Sequence, residues 1–449
     1  MSARILYDGH HLTMAAATGI GTYTRTLAAT AKGLGFETEV LVGGNAAVDK
    51  RDPQLTEVTF FDALTAARTP FSVRKERMLG KAFGKPFGVR PAAFSRVGAV
   101  FDTTQWSLSG FEKTYVAPIV FELGAYHFKR YGSRAQIRLP RPPALFHLSY
   151  PAPLSVKNCP NVYTIHDIVP LRLPQATLDD KKFFLRLIRH LCAKADHIVT
   201  VSEFSRRDII RFTGIDEDRI TNTYQSVHLP EAILSKSDEA VAEEIGHAFN
   251  IGLREYYVFY GAIEPKKNVA RLIDAYSASG SPYPLLIVGG PGWQCDREMQ
   301  MIGDERFLSY RREAGRIVPE RRVRRIPYLR FTQLMTLIKG ARGVLFPSLY
   351  EGFGLPVLEA MLLGVPVITS DVASLPEISG DAAALVDPTD VEAIAGAIRA
   401  FDHDGDWRSH LSAKGRERAV LFSPSAYQIR IGALYSKLGV EAQRVDASA

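Results

Sequence analysis

The chain has 449 residues, about three times the ~150 of an ordinary domain, so two domains, each with its own core, are expected. Apolar residues at 46% and charged residues at 23% stand at globular averages and exclude a largely disordered chain, while three cysteines without a CxxC pair exclude a disulfide framework or a zinc site. The net charge of +7 is concentrated in residues 66–100, which hold eight Lys/Arg against Glu76 alone. With Phe71, Phe83, Phe87 and Phe94 interleaved, that stretch suits either a solvated basic face or contact with an anionic membrane surface, and no nucleic-acid-binding motif accompanies it.

The chain opens on MSARILYDGHH, which lacks the apolar run of an export signal and reads as a short buried strand over residues 5–7, so a cytoplasmic protein is expected. No apolar run approaches the ~18 residues that span a bilayer, and any membrane contact is expected to be peripheral. Strand-like runs at 38–44, 161–167 and 197–202 alternate with helix-like runs at 22–35 and 181–195, the pattern of a parallel sheet between helices. After the first strand, TGIGTYTRTL offers Gly19 and Gly21 as points of close backbone approach. The GxGxxG pattern is incomplete, with Thr24 in its last place, yet on this loop alone an NAD enzyme stays open. In YTIHDIVPL, His166 stands where a strand gives way to a loop, with Asp167 beside it as a turn cap. Ser202 is expected to cap the next helix, placing Glu203 and Phe204 near the floor of a cleft.

A polar, acidic stretch at 235–255 separates this series from a second one. There, strand-like runs at 256–262, 284–290, 342–348, 365–370 and 382–387 alternate with helix-like runs at 269–278, 331–341, 355–364 and 391–401. Thr389 and Glu392 form a capping-box pattern before the last of these, and Pro356 and Gly364 bracket the helix at 355–364. Two open α/β domains in tandem follow, with ligands expected at the carboxyl ends of the strands and in the cleft between the domains. The final run at 423–439 is an amphipathic helix candidate with apolar Tyr427, Ile429, Ile431, Leu434 and Tyr435.

Within the second series, EGFGLPVLE places Glu351 and Glu359 around a glycine loop and a helix start. Missing side chains at Gly352 and Gly354 admit a ligand to the backbone, and free amides with the positive helix end favour phosphate. Glu359, one turn into the helix, can accept two hydrogen bonds from a diol such as ribose. A glycosidase pair stands ~5–9.5 Å apart, and eight helical residues already cover ~12 Å, which disfavours a hydrolase without removing it.

The whole run SLYEGFGLPVLEAMLLGVPVITSDVASLPEISGDAAALVDP strongly resembles the retaining glycosyltransferases of the GT-B fold, the family 4 (group 1) type with an E-x7-E motif that includes bacterial mannosyltransferases. The resemblance implies two Rossmann-like domains, with residues 1–235 binding the acceptor, 236–423 binding the nucleotide-sugar donor, and 424–449 packing back on the first. It implies that Glu351 meets donor-sugar hydroxyls, that Phe353, Gly354 and Leu355 hold sugar and diphosphate through their amides, and that Glu359 binds the ribose. YGAIEPKKN looks like the strand and loop that bring cations to the diphosphate, through Lys267 and secondarily Lys266; Ala262 stands where many relatives carry arginine. TGIGTYTRTL looks like the family's first glycine loop, and His166 like the histidine that lines the cleft beside the transferred sugar. Residues 45–145, where acceptor choice usually lies, match only loosely.

The activity so implied is metal-independent, retaining transfer of a hexose, with mannose from GDP-mannose favoured. The acceptor would be a hydroxyl of a glycan or lipid-linked molecule in cell-surface polysaccharide or lipopolysaccharide synthesis, and no cofactor beyond the donor is expected. A sugar-nucleotide epimerase on the same fold and a silent scaffold of a polysaccharide assembly complex are the alternatives.

Overall fold

The computed structural model describes residues 3–14, 19–43, 88–94, 110–313 and 316–442, with scattered positions at 52, 54–55, 57–59 and 108. The basic stretch 66–100 therefore lies outside the described residues except at 88–94. The strands are, in chain order, β1 (Arg4–Asp8), β2 (Glu37–Val42), β3 (Ala92–Phe94), β4 (Lys113–Val116), β5 (Ala135–Ile137), β6 (Leu145–Leu148), β7 (Leu154–Val156), β8 (Asn161–Thr164), β9 (His197–Thr200) and β10 (Ile220–Asn222). They continue as β11 (Tyr257–Tyr260), β12 (Leu285–Val288), β13 (Leu308–Glu313), β14 (Arg316–Arg321), β15 (Val323–Ile326), β16 (Gly343–Phe346), β17 (Val367–Ser370) and β18 (Ala384–Val386).

Eight strands form one sheet in the order β10-β9-β8-β6-β1-β2-β4-β3, parallel throughout except for β3, and six form a second, all-parallel sheet in the order β15-β12-β11-β16-β17-β18. Parallel sheets covered by helices on both faces need strands that are apolar all along. β6, β8, β11, β12, β16 and β17 are buried at every position. Two Rossmann-like α/β units result, their sheets drawn from residues 4–222 and 257–386.

The helix Pro424–Lys437 buries Tyr427, Ile431, Leu434 and Tyr435. Tyr435 Oη lies 3.1 Å from Tyr7 Oη on β1 and 3.0 Å from His147 Nδ1 on β6, so the end of the chain is tied to the first sheet. Ile429, read from the sequence as part of the packed face, is 73% exposed. Asp390 rather than Thr389 caps the helix Val391–His403, accepting from the amides of Glu392 and Ala393, while the Thr389 hydroxyl donates to Asp387. Among the described residues no helix is long and apolar enough to cross a membrane.

Candidate functional site

The loops that follow the carboxyl ends of strands in the two sheets meet one another. On the second unit, β16 runs into Tyr350-Glu351-Gly352-Phe353-Gly354 and then the helix Leu355–Leu362. Gly354 adopts φ 104°, a left-handed conformation open to glycine, and a Cβ there would meet Leu375 Cδ2 at 2.7 Å. At Gly352 the reason for glycine is contact instead: a Cβ would stand 2.6 Å from the carbonyl oxygen of His166, on the opposite unit. The two units touch through this loop.

Hydroxyl groups fix the loop's carbonyls. Ser374 Oγ lies 2.9 Å from both Glu351 O and Phe353 O, and Ser202 and Ser205 donate to Gly352 O at 2.7 and 3.2 Å. In a trans peptide the N–H points opposite to the preceding C=O, so the following amides turn away from these hydroxyls. Within the described structure the amides of Gly352, Phe353, Gly354 and Leu355 donate to no protein acceptor. Such amides at a helix start make a ready anion site.

Around the loop the charged groups are paired. Lys267 Nζ lies 2.6 Å from Glu351 Oε1 and 4.7 Å from the centre of the Phe346 ring. Lys266 Nζ lies 3.6 Å from Glu264 Oε1. Burial pushes the Glu351 carboxyl up, but the positive charges of Lys267 and Lys266 outweigh it and hold the group below the usual carboxylate range. Burial alone would lower Lys266, yet Glu351, Asp167 and Glu264 hold its ammonium well above the ordinary lysine value. Burial lifts Glu264. Glu359, one turn along the helix, accepts from Tyr260 Oη at 2.9 Å, and burial raises its carboxyl to about 7 despite that bond. The sequence-predicted Glu351, Phe353, Gly354, Leu355, Glu359, Lys266 and Lys267 thus share one wall.

The opposite wall carries His166, whose Nε2 donates to Ser149 O at 2.8 Å and whose Nδ1 accepts from the Gln225 amide at 3.2 Å. Its ring packs edge-on against Tyr23 at 4.7 Å, and burial holds it neutral, below the usual imidazole value. Both nitrogens are engaged, so the imidazole is a fixed surface rather than a free base. Asp167 closes the turn by accepting from Val169 N at 3.0 Å. Gly19 and Gly21 lie inside the helix Gly19–Gly33 rather than in a loop before it, and a Cβ at Gly19 would stand 3.8 Å from Leu355 Cδ1. The start of the helix Leu355–Leu362 therefore meets the helix Gly19–Gly33 across the cleft.

Sequence reasoning missed the rest of this wall. His10 stacks on Tyr150 with ring centres 5.2 Å apart, and His11 meets the same ring edge-on at 5.0 Å. Burial lowers His11 to about 4 and lifts Asp8, whose carboxylate accepts from Ser149 N and Oγ, to about 7. The signal was present in DGHH, immediately after a strand end. Among the described residues no three His, Cys, Asp or Glu side chains gather in a metal-binding arrangement.

Residues 244–418 match the group 1 glycosyl transferases and residues 103–229 match glycosyltransferase family 4. The O-antigen chain mannosyltransferase B of Escherichia coli is 34% identical over 270 residues, covering 58% of this chain and 66% of that protein. The serotype-specific mannosyltransferase WbdA of Escherichia coli is 28% identical over 284 residues, covering 61% of this chain and 33% of that protein. The chain thus spans just under two thirds of the first relative's length and a third of the second's. Among solved structures, Anabaena Alr3699/HepE in complex with UDP-glucose superposes with a TM-score of 0.64 at 14% identity, covering 97% of this chain and 100% of that one, which establishes the shared GT-B architecture.

Proposed function

Since its two units belong to glycosyltransferase family 4 and the group 1 glycosyl transferases, we propose that this chain transfers mannose from GDP-mannose to a hydroxyl of a glycan or lipid-linked acceptor in cell-surface polysaccharide synthesis, with retention of anomeric configuration and no required metal. The sugar is inferred from the mannosyltransferase names of the similar proteins. The carrying observation is the donor loop: four unpartnered amides at a helix start, flanked by Lys266 and Lys267 on one side and Glu359 on the other.

In this reading residues 236–423 hold the donor and residues 1–235, with the end of the chain packed on them, hold the acceptor. The loop amides and Lys267 receive the diphosphate and stabilise the charge that grows on it as the glycosidic bond breaks. Lys267 is bound to Glu351 in the free protein, so diphosphate draws the ammonium toward itself and leaves Glu351 to accept from sugar hydroxyls. Glu359 accepts from the ribose diol. His166, fixed by Ser149 and Gln225, bounds the space for the sugar and orients it, and a β-phosphate oxygen takes the acceptor proton. The basic, aromatic stretch 66–100 would bring the enzyme to an anionic membrane face where a lipid-linked acceptor resides; flotation with anionic vesicles tests this, and no co-flotation removes it.

The deciding experiment offers GDP-, UDP-, dTDP- and ADP-hexoses to the full chain and reads binding by thermal shift, since a ligand at 100 times its dissociation constant adds about 2.7 kcal/mol of apparent stability. Stabilisation by GDP and GDP-mannose, followed by mannose transfer to a lipid-linked glycan giving an α-linked product, is expected. Binding without transfer to any acceptor would favour the scaffold, and release of an epimer from donor alone would favour the epimerase.

A further inference from the structure

The helix Glu203–Thr213 belongs to the N-terminal unit, yet its first turn is completed by the other one. Ser202 caps it, accepting from Ser205 N at 3.0 Å. The same Ser202 hydroxyl donates to Gly352 O at 2.7 Å, and Ser205 Oγ adds a second donor at 3.2 Å, so both lone pairs of that carbonyl are used. From the short helix Leu375–Ser379, the Glu377 carboxylate reaches across and accepts from Glu203 N at 2.7 Å and from Phe204 N at 2.9 Å. An acid at a helix start is favoured by both the unsatisfied amides and the dipole. Tyr350, one residue before Glu351, donates to Asp208 on the same helix at 2.8 Å, and Arg172 holds Asp208 at 3.1 Å.

We propose that Ser202, Ser205 and Glu377 are positioning residues that clamp the donor loop to the N-terminal unit, so that the Phe353 amide is aimed at the donor only while the two units are docked. The proposal rests on the donor-site reading above. Its physical basis is the fixed relation between a peptide's two polar groups. The hydroxyls of Ser202 and Ser205 hold the Gly352 carbonyl toward the helix Glu203–Thr213, and the Phe353 amide must then face the other way. Among the described residues nothing within the donor-binding unit holds that carbonyl. Glu377, anchored on the same unit as the loop, fixes the helix that carries the two serines. The donor site is therefore completed by the acceptor-side unit, and separating the units frees the peptide to rotate.

The test compares the full-length wild type with Ser202→Ala/Ser205→Ala, Glu377→Ala and Ser202→Thr, using GDP as the probe by calorimetry, hydrogen exchange at the Glu203 and Phe204 amides, and melting temperature. The double serine variant should bind GDP about tenfold more weakly, the order expected when supporting hydrogen bonds are lost, while melting within a few degrees of wild type. Ser202→Thr, which keeps the hydroxyl, should restore affinity to within about twofold of wild type. Glu377→Ala should speed exchange at both amides and weaken GDP similarly. If the serine variant does not fold, Glu377→Gln, which retains one acceptor oxygen, should give an intermediate loss. Unchanged GDP affinity in the folded variants overturns the clamp alone. A wild type that binds neither GDP nor UDP overturns the clamp together with the donor reading.

Discussion

On the donor-side wall of the cleft two lysines stand paired with acids, Lys267 with Glu351 at 2.6 Å and Lys266 with Glu264 at 3.6 Å, while burial lifts Glu359 beyond them to about 7. On the facing wall burial keeps the histidines neutral, lowering His166 and taking His11 to about 4. The contrast matches the two halves of a nucleotide sugar. A diphosphate needs preformed positive charge in a place shielded from water, where each interaction counts for more than it would at the surface. A sugar ring needs rigid shape and hydrogen-bonding groups that carry no net charge. A wall that carries paired lysines and a wall of uncharged imidazoles in one cleft divide those tasks.

The division breaks most severely at Lys267. Replacing it with alanine should lower kcat/KM for the donor by about a thousandfold, the upper end of what one preorganised charge contributes. The same change leaves Glu351 buried beside Lys266 alone and should cost about 3 kcal/mol of stability, because an orphaned buried charge is more expensive than a deleted pair. Adding Glu351→Gln should return most of the stability and none of the activity. Denaturant unfolding of the single and double variants, beside donor kinetics, separates the two effects; equal stability in both variants would mean that the pair is not buried as described.

On the neutral wall, His166→Ala should act differently. The ring is held at both nitrogens and carries no charge, so its loss should lower kcat by about a hundredfold through misplacement of the sugar while leaving GDP affinity within about twofold. A large loss of GDP affinity would place His166 on the diphosphate and erase the contrast between the walls.

What was legible in the sequence follows the same line. The donor wall is built from two short continuous segments, 264–267 and 350–359, in which spacing, glycine positions and helix start all act locally, and the residues read from them come together. The facing wall is assembled from strand ends far apart in the chain, at 8–11, 149–150, 166 and 225, so only His166 stood out. Its neutrality is a product of burial, which no short window encodes. Nor could the clamp be foreseen: Ser202 was readable as a helix cap, but its second bond depends on how the two units dock. Gly19 and Gly21 were expected in a loop from the resemblance of TGIGTYTRTL to a glycine loop, yet both lie in the helix Gly19–Gly33, where a Cβ at Gly19 would make only ordinary contact with Leu355 from across the cleft.

Glu359 gives the smallest expected effect and the sharpest one, because it is the donor-wall acid held protonated to about 7. Its folded value lies above its ordinary value of 4.5, so its contribution to stability is fully present below that value and is lost as pH rises through about 7. Glu359→Gln removes the cost of ionising a desolvated acid and should make the free protein about 1–2 kcal/mol more stable than wild type at pH 8, with no gain at pH 4. Binding should move the other way. An ionised carboxylate is the stronger acceptor for a ribose diol, so wild-type affinity for GDP-mannose, whose diphosphate does not titrate in this range, should rise through pH 7. The variant should bind about tenfold more weakly at pH 8 and show a flat profile. A structural glutamate would lose stability and leave affinity unchanged when replaced; a donor ligand kept partly protonated in the empty site gains stability and loses affinity, and melting curves with titrations at the two pH values distinguish them.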